Sequence, residues 1–136
     1  MHQPEEVKAF KHDLASYPLK TKKANEYREM IEDLYGQLGG VRAIDVSRVR
    51  TNSPPNKDVE YAIRDRISEC ERKLGLLEAQ LTSVREVLDR IETPLKTAVI
   101  DVYARGKTIR SVALKMFISE TGLRKRMNKA IEKALN

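Results

Sequence analysis

Apolar side chains recur at helical spacing almost from the start of the chain. Val7, Phe10 and Leu14 lie three and four residues apart, one stripe on a short helix over residues 4–16. Pro18 is expected to break that pattern, because proline disfavours helix in the residue before it. A second helix is expected over 19–38, where Ala24, Tyr27, Ile31, Leu34 and Leu38 alternate three and four apart. Gly36 weakens its last turn, and Gly39-Gly40 ends it. Over residues 41–56, Val41, Ile44, Val46 and Val49 suit a short strand or an extended packing segment, with no partner strand in evidence. Ser53-Pro54-Pro55-Asn56 reads as a turn leading into a helix, so the whole stretch is expected to be a surface connector.

The third helix carries the strongest pattern. Ile63, Ile67, Cys70, Leu74, Leu77, Leu81, Val84, Leu88 and Ile91 alternate four and three apart. A seven-residue repeat sustained this long is a coiled-coil seam, and its flanks of Glu, Arg and Lys are a solvated face. Leu dominates one seam position while Val84 and Ile91 occupy the other, which is not the arrangement that favours parallel dimers. An antiparallel hairpin of the second and third helices satisfies both seams within one chain. The third helix, at about 35 residues, outruns the second, at about 20, so part of its seam needs another cover. A homodimer through the coiled-coil helices stays open for that reason.

Beyond the seam the punctuation is dense. Thr93-Pro94 is expected to close the long helix and start another, with Thr93 as cap and Pro94 in the first helical position. Leu95, Val99, Val102 and Tyr103 share a face, and Arg105-Gly106 supplies a glycine stop. Thr108 then caps a short helix through Met116, Phe117-Ile118 makes a turn, and Ser119 caps a final helix running to Asn136. Two helices joined so tightly cross steeply, which needs a small residue at the crossing, and Ala113 supplies it. Val112, Met116, Ile118, Leu123 and Met127 would form their shared core. Phe117 stands where many such turns carry glycine, so the turn is expected to be made by a residue with normal backbone preferences or to be slightly longer. The fold class expected is all-α: an antiparallel helical hairpin or coiled coil over residues 1–93, then a helix-turn-helix unit over 94–136.

Charge changes this picture once it is located. The chain of 136 residues has a net charge of +6. From Pro94 onward ten Lys/Arg face three acids, whereas the first 93 residues hold sixteen bases and seventeen acids. The excess therefore sits in the last third, as attraction to a phosphate backbone requires, although a basic solubility patch has the same charge. The chain has no apolar run near the roughly 18 residues of a membrane span, and its start lacks the pattern of a secretory signal. A cytoplasmic protein is expected, in keeping with a single cysteine. His2 and His12 are the only histidines and lie apart from Cys70, which leaves no metal site and no cofactor to expect. Cys70 fits a small core residue, Gly39-Gly40 lacks the Lys-Ser/Thr of a phosphate loop, and the five tyrosines are too scattered to stack bases. No enzyme is expected.

The final helix is where function is expected. Its outer face would carry Glu120, Thr121, Arg124, Lys125 and Asn128, behind the cap Ser119, and in a helix-turn-helix that face enters the major groove. Arg124 and Lys125 can donate to guanine or phosphate, Asn128 can pair with adenine, and Thr121 can meet a thymine methyl. Arg126, Lys129, Lys107 and Arg110 stand where backbone contacts fix register. Gly122 costs about 1 kcal/mol of helix stability against Ala. Either a close DNA backbone or a tolerated accident accounts for it. The plainer reading of the pair is an amphipathic hairpin with a solvated basic face.

The run Val102-Tyr103-Ala104-Arg105-Gly106-Lys107-Thr108-Ile109-Arg110-Ser111-Val112-Ala113, with Ile118-Ser119, Leu123 and Ala130, resembles region 4 of bacterial sigma factors. With Tyr17-Pro18 and the upstream hairpin, the chain looks like the phage and prophage ArpU/RinA-like late-gene regulators. That resemblance implies a transcription activator that binds a promoter through residues 119–128 and engages host RNA polymerase. It carries over no polymerase-contacting residue. Two other readings compete: an oligomeric packaging protein like a small terminase subunit, whose DNA module normally comes first, and a hairpin that binds an acidic protein partner. No RNA-binding module pattern appears.

Overall fold

A computed structural model describes the backbone of residues 4–47 and 57–136, and side chains for 4–40 and 57–136. Among these residues the fold is all-α, with no strand: α1 (Glu5–Ser47), α2 (Lys57–Asp89), α3 (Leu95–Val99) continued by a π-helical turn (Ile100–Ala104), α4 (Ile109–Met116) and α5 (Glu120–Leu135). None of the helices is long and apolar enough to cross a membrane, among the described residues.

The chain divides into two compact units, one of residues 1–21 with 79–136 and one of residues 22–78. The boundary expected at 93/94 falls inside the first. The second unit is an antiparallel helix pair. Arg28 pairs with Glu78 at 2.9 Å, and the Tyr35 hydroxyl donates to Glu71 at 3.2 Å, so rising numbers on α1 meet falling numbers on α2. Leu34, Leu38, Ile63 and Ile67 are its buried core, with Cys70 partly buried against them, as the two seams predict. Surface pairs such as Arg64–Glu60 decorate the outside, where solvent screening leaves them little net stabilisation.

The first unit holds the main core. Val7, Phe10 and Leu14 of α1 join Val84, Leu88 and Ile91 at the end of the long seam. The seam residues that the sequence left without cover are thus covered by the stripe assigned to a separate short helix. The two predicted helices are in fact one. α1 runs through Pro18 without a break and through Gly36, Gly39 and Gly40 to Ser47. Pro18 removes one backbone donor, at about 3 kcal/mol in a helix interior. Leu14 is buried a turn before it and Tyr17 packs on the same core, and each large side chain buried returns about 1.5–3 kcal/mol. Hydroxyls also serve carbonyls around the proline: Ser16 donates to Asp13 at 3.0 Å and Thr21 to Tyr17 at 2.9 Å. The strand considered around Val41–Val46 is likewise helix as far as Ser47, and residues 48–56 of the expected connector lie outside the described residues.

The junction after α2 also departs from expectation. α2 ends at Asp89, and Pro94, in helical backbone angles, takes the cap position of α3 without a side-chain bond. Thr93 is not the cap. The first turn is closed instead by backbone groups, with Lys96 N–H donating to Glu92 and Ala98 N–H to Pro94.

Because α1, α2 and the C-terminal helices share one core, Leu14→Ala is expected to cost about 2–5 kcal/mol of unfolding free energy. The same loss should register on a fluorescent probe attached to α5 in urea titrations. A probe on α5 that keeps its wild-type midpoint would show that residues 94–136 fold without α1.

Candidate nucleic-acid interface

The sequence Arg105-Gly106 stops the segment before the helix pair as expected. Gly106 takes a φ of +72, and Lys107 N–H donates to Asp101 C=O at 2.9 Å. Thr108 caps α4, its hydroxyl accepting from Ser111 N–H at 3.1 Å. Ser119 caps α5 in the same way, accepting from Gly122 N–H at 3.0 Å. Val112, Ala113, Leu123 and Met127 are buried in the shared core, with Met116 and Ile118 packed against it, so the core read from the spacing is the one that forms. Ile131 and Ala134 extend it along α5.

Phe117, a residue of ordinary backbone preferences, makes the turn, the first of the two expected solutions. It adopts left-handed angles itself (φ 58, ψ 39), and Ile118 N–H donates back to Ala113 C=O at 3.1 Å. The turn is therefore as tight as a glycine turn, made by a residue whose Cβ resists it. Its ring packs on nothing, being 95% exposed. Gly122 has a local explanation that neither earlier alternative offered. A Cβ there would lie 2.9 Å from the Ser119 hydroxyl that caps the helix, so the glycine makes room for the cap.

Burial of Leu123, Met127 and Ile131 fixes the rotation of α5 about its axis, and with it the fate of each polar residue. Ser119, Glu120, Thr121, Arg124, Lys125, Arg126 and Lys129 are exposed; Asn128 is half-buried. The predicted face is split into three parts. Arg124 and Asn128 lie beside α1: Lys11 Nζ donates to Asn128 Oδ1 and sits 4.9 Å from the centroid of the Tyr103 ring. Lys125 points away from both flanks of the helix (its neighbours 124 and 126 belong to opposite sides). Arg126 and Lys129 border a groove of about 310 Å³, with Lys133 and Arg90 at its rim and Ile91, Leu95 and Ala130 among its lining. One rim cation is already engaged, since Arg90 donates to Ala134 C=O at 2.9 Å.

The remaining predicted contacts lie on the approach to α4. Arg110 is exposed. Lys107 is exposed but stands 3.8 Å from Asp101, whose carboxylate also accepts from Arg105 at 2.9 Å. Asp101 is the one buried charged residue among those described, and it holds the end of the α3 segment to the loop before α4. Sequence reading missed it, as a lone acid among helical residues carries no signal. It also missed Lys11, which reaches Asn128 across 117 residues of chain. The ammonium of Lys11 loses protons more readily than a free lysine, first because it is partly buried and then because Arg124 is near. Tyr103 shifts the other way, its burial favouring the neutral phenol while Arg124 opposes that shift.

Such an arrangement offers donors and positive charge along one helix, with little acid to neutralise them. Among the described residues no cluster of three His, Cys, Asp or Glu is placed to hold a metal ion. Compared with family models, curated proteins and solved structures, the chain matches none of them.

Two predictions test the local chemistry. Phe117→Gly should stabilise the protein by about 1 kcal/mol, because it relieves the left-handed strain and removes no packing; a loss of stability would mean that the ring is packed after all. Gly122→Ala alone should gain little, since the propensity gain of about 1 kcal/mol is offset by displacing the cap. In a Ser119→Ala background the same substitution should recover the full gain. Equal effects in both backgrounds, measured by chemical denaturation, would break the link between the two residues.

Proposed function

We propose that the protein is a sequence-specific, double-stranded DNA-binding transcription regulator, non-enzymatic and cytoplasmic. The observation that carries this reading is the division of α5. Its apolar stripe is sealed in the core, while Thr121, Arg124 and Lys125 of its first turns stand exposed behind a capped N-terminus. A helix presented by its first turns, after a short turn from a supporting helix, suits entry into the major groove. The positive charge concentrated after residue 93 supplies the attraction to phosphate. Arg124 and Lys125 would read or grip the duplex, while Arg110 and Lys107 would hold flanking phosphates, the latter weakened by its pairing with Asp101. Following the sequence resemblance, we further propose an activator of phage or prophage genes that works with the host RNA polymerase.

Arg124→Ala and Lys125→Ala should each weaken duplex binding without lowering the thermal midpoint. Loss of a base contact would cost about 1–3 kcal/mol, whereas loss of a phosphate contact would reduce the slope of log affinity against log salt by about 0.9. Fluorescence anisotropy on duplexes selected from a random pool measures both. If affinity is untouched by either change at every salt concentration, α5 is not the reading helix.

A further inference from the structure

We propose that Lys11, far from the helix pair in sequence, is a phosphate-binding residue of the same DNA surface, held by Asn128 in the free protein and passed to the backbone when duplex docks. The inference rests on the duplex-binding reading above and extends it to α1. Three observations converge on it. Lys11 donates to the Asn128 amide oxygen, its ammonium lies over the Tyr103 ring, and no carboxylate pairs with it among the described residues. Arg124 adds a second cation on the same side, near enough to disfavour the charge on Lys11. A partly buried ammonium beside an exposed guanidinium, with no acid between them among the described residues, leaves an electrostatic demand that a phosphate oxygen meets. A purely structural cap for Asn128 would be served as well by a neutral donor.

The contact also changes what Asn128 can do. Pairing with both adenine positions uses the amide oxygen as acceptor and the amide nitrogen as donor. One of that oxygen's two acceptor lone pairs is taken while Lys11 holds it. Transfer of Lys11 to phosphate, over the reach of its four-carbon stem, returns that lone pair at the moment a base edge arrives. No covalent step is involved: a hydrogen bond from the ammonium to a neutral amide oxygen is exchanged for one to an anionic phosphate oxygen. In the free protein the lysine shields Asn128, and on DNA it anchors α1 to the backbone.

The experiment compares full-length wild type, Lys11→Met and Lys11→Arg by anisotropy with a fluorescein-labelled duplex of random sequence across a salt series. The expected result is a salt slope shallower by about 0.9 for Lys11→Met, with affinity several-fold weaker at low salt, and a wild-type slope for Lys11→Arg. Thermal melts confirm that Lys11→Met is folded at the assay temperature, and the Arg variant retains the cation if Met proves unstable. A wild-type slope in Lys11→Met, alongside a reduced slope in Arg124→Ala, overturns the role of Lys11 and leaves the duplex reading standing. Absence of any salt-dependent duplex affinity in the wild type overturns both.

Discussion

Leu123, Met127 and Ile131 form a stripe along α5 that must leave water, and they do so completely, on a surface made by Val7, Phe10 and Leu14 with Val84, Leu88 and Ile91. Each side chain buried in this way contributes about 1.5–3 kcal/mol, enough to outweigh the local preferences of the segments involved. Once the stripe is seated, α5 has no freedom to rotate. Every other residue on the helix then takes a fixed place, with Lys125 to solvent, Arg124 and Asn128 beside α1, and Arg126 and Lys129 along the groove by α2 and α3. The start of α1 and the end of α2, which lie in the same unit as α5, are thus the support that aims the cationic helix.

That constraint explains the electrostatic pattern as well. A helix buried on one face must carry its charges on the rest, and here most of those charges are positive and, among the described residues, unpaired by acids. Asp101 is the exception: buried, bonded to Arg105 and close to Lys107, it ties the incoming segment down by drawing on two of the local cations. The consequence is a surface whose attraction for polyanions is concentrated on α5 and its flank, with Lys107 serving structure first. Lys11, delivered by a helix at the other end of the chain, joins Arg124 and Asn128 on one side of α5.

Local chemistry and tertiary packing pull against each other at several points, and packing prevails. Proline and three glycines lie inside α1, where propensity alone would have ended a helix twice. Phe117 holds a left-handed turn that glycine would hold without strain, because the core residues on either side, Ala113 and Leu123, fix how far the chain can travel between α4 and α5. At Gly122 the local rule and the structure agree for a reason no spacing reveals: the cap hydroxyl fills the space a side chain would need.

Helical periodicity by itself determined the all-α class, both seams of the hairpin, the core of the helix pair, its two capping hydroxyls and the glycine stop at Gly106, because each depends on residues within a turn or two of one another. The exposure of Thr121, Arg124 and Lys125 was legible for the same reason, as it follows from which neighbours are apolar. Tertiary structure alone decided that α1 is continuous through Pro18, that its first turns complete the core under α5, and that Lys11 and Asn128 meet. Those outcomes turn on groups distant in sequence, and the free energy of burying a shared core, which no local window contains, sets them.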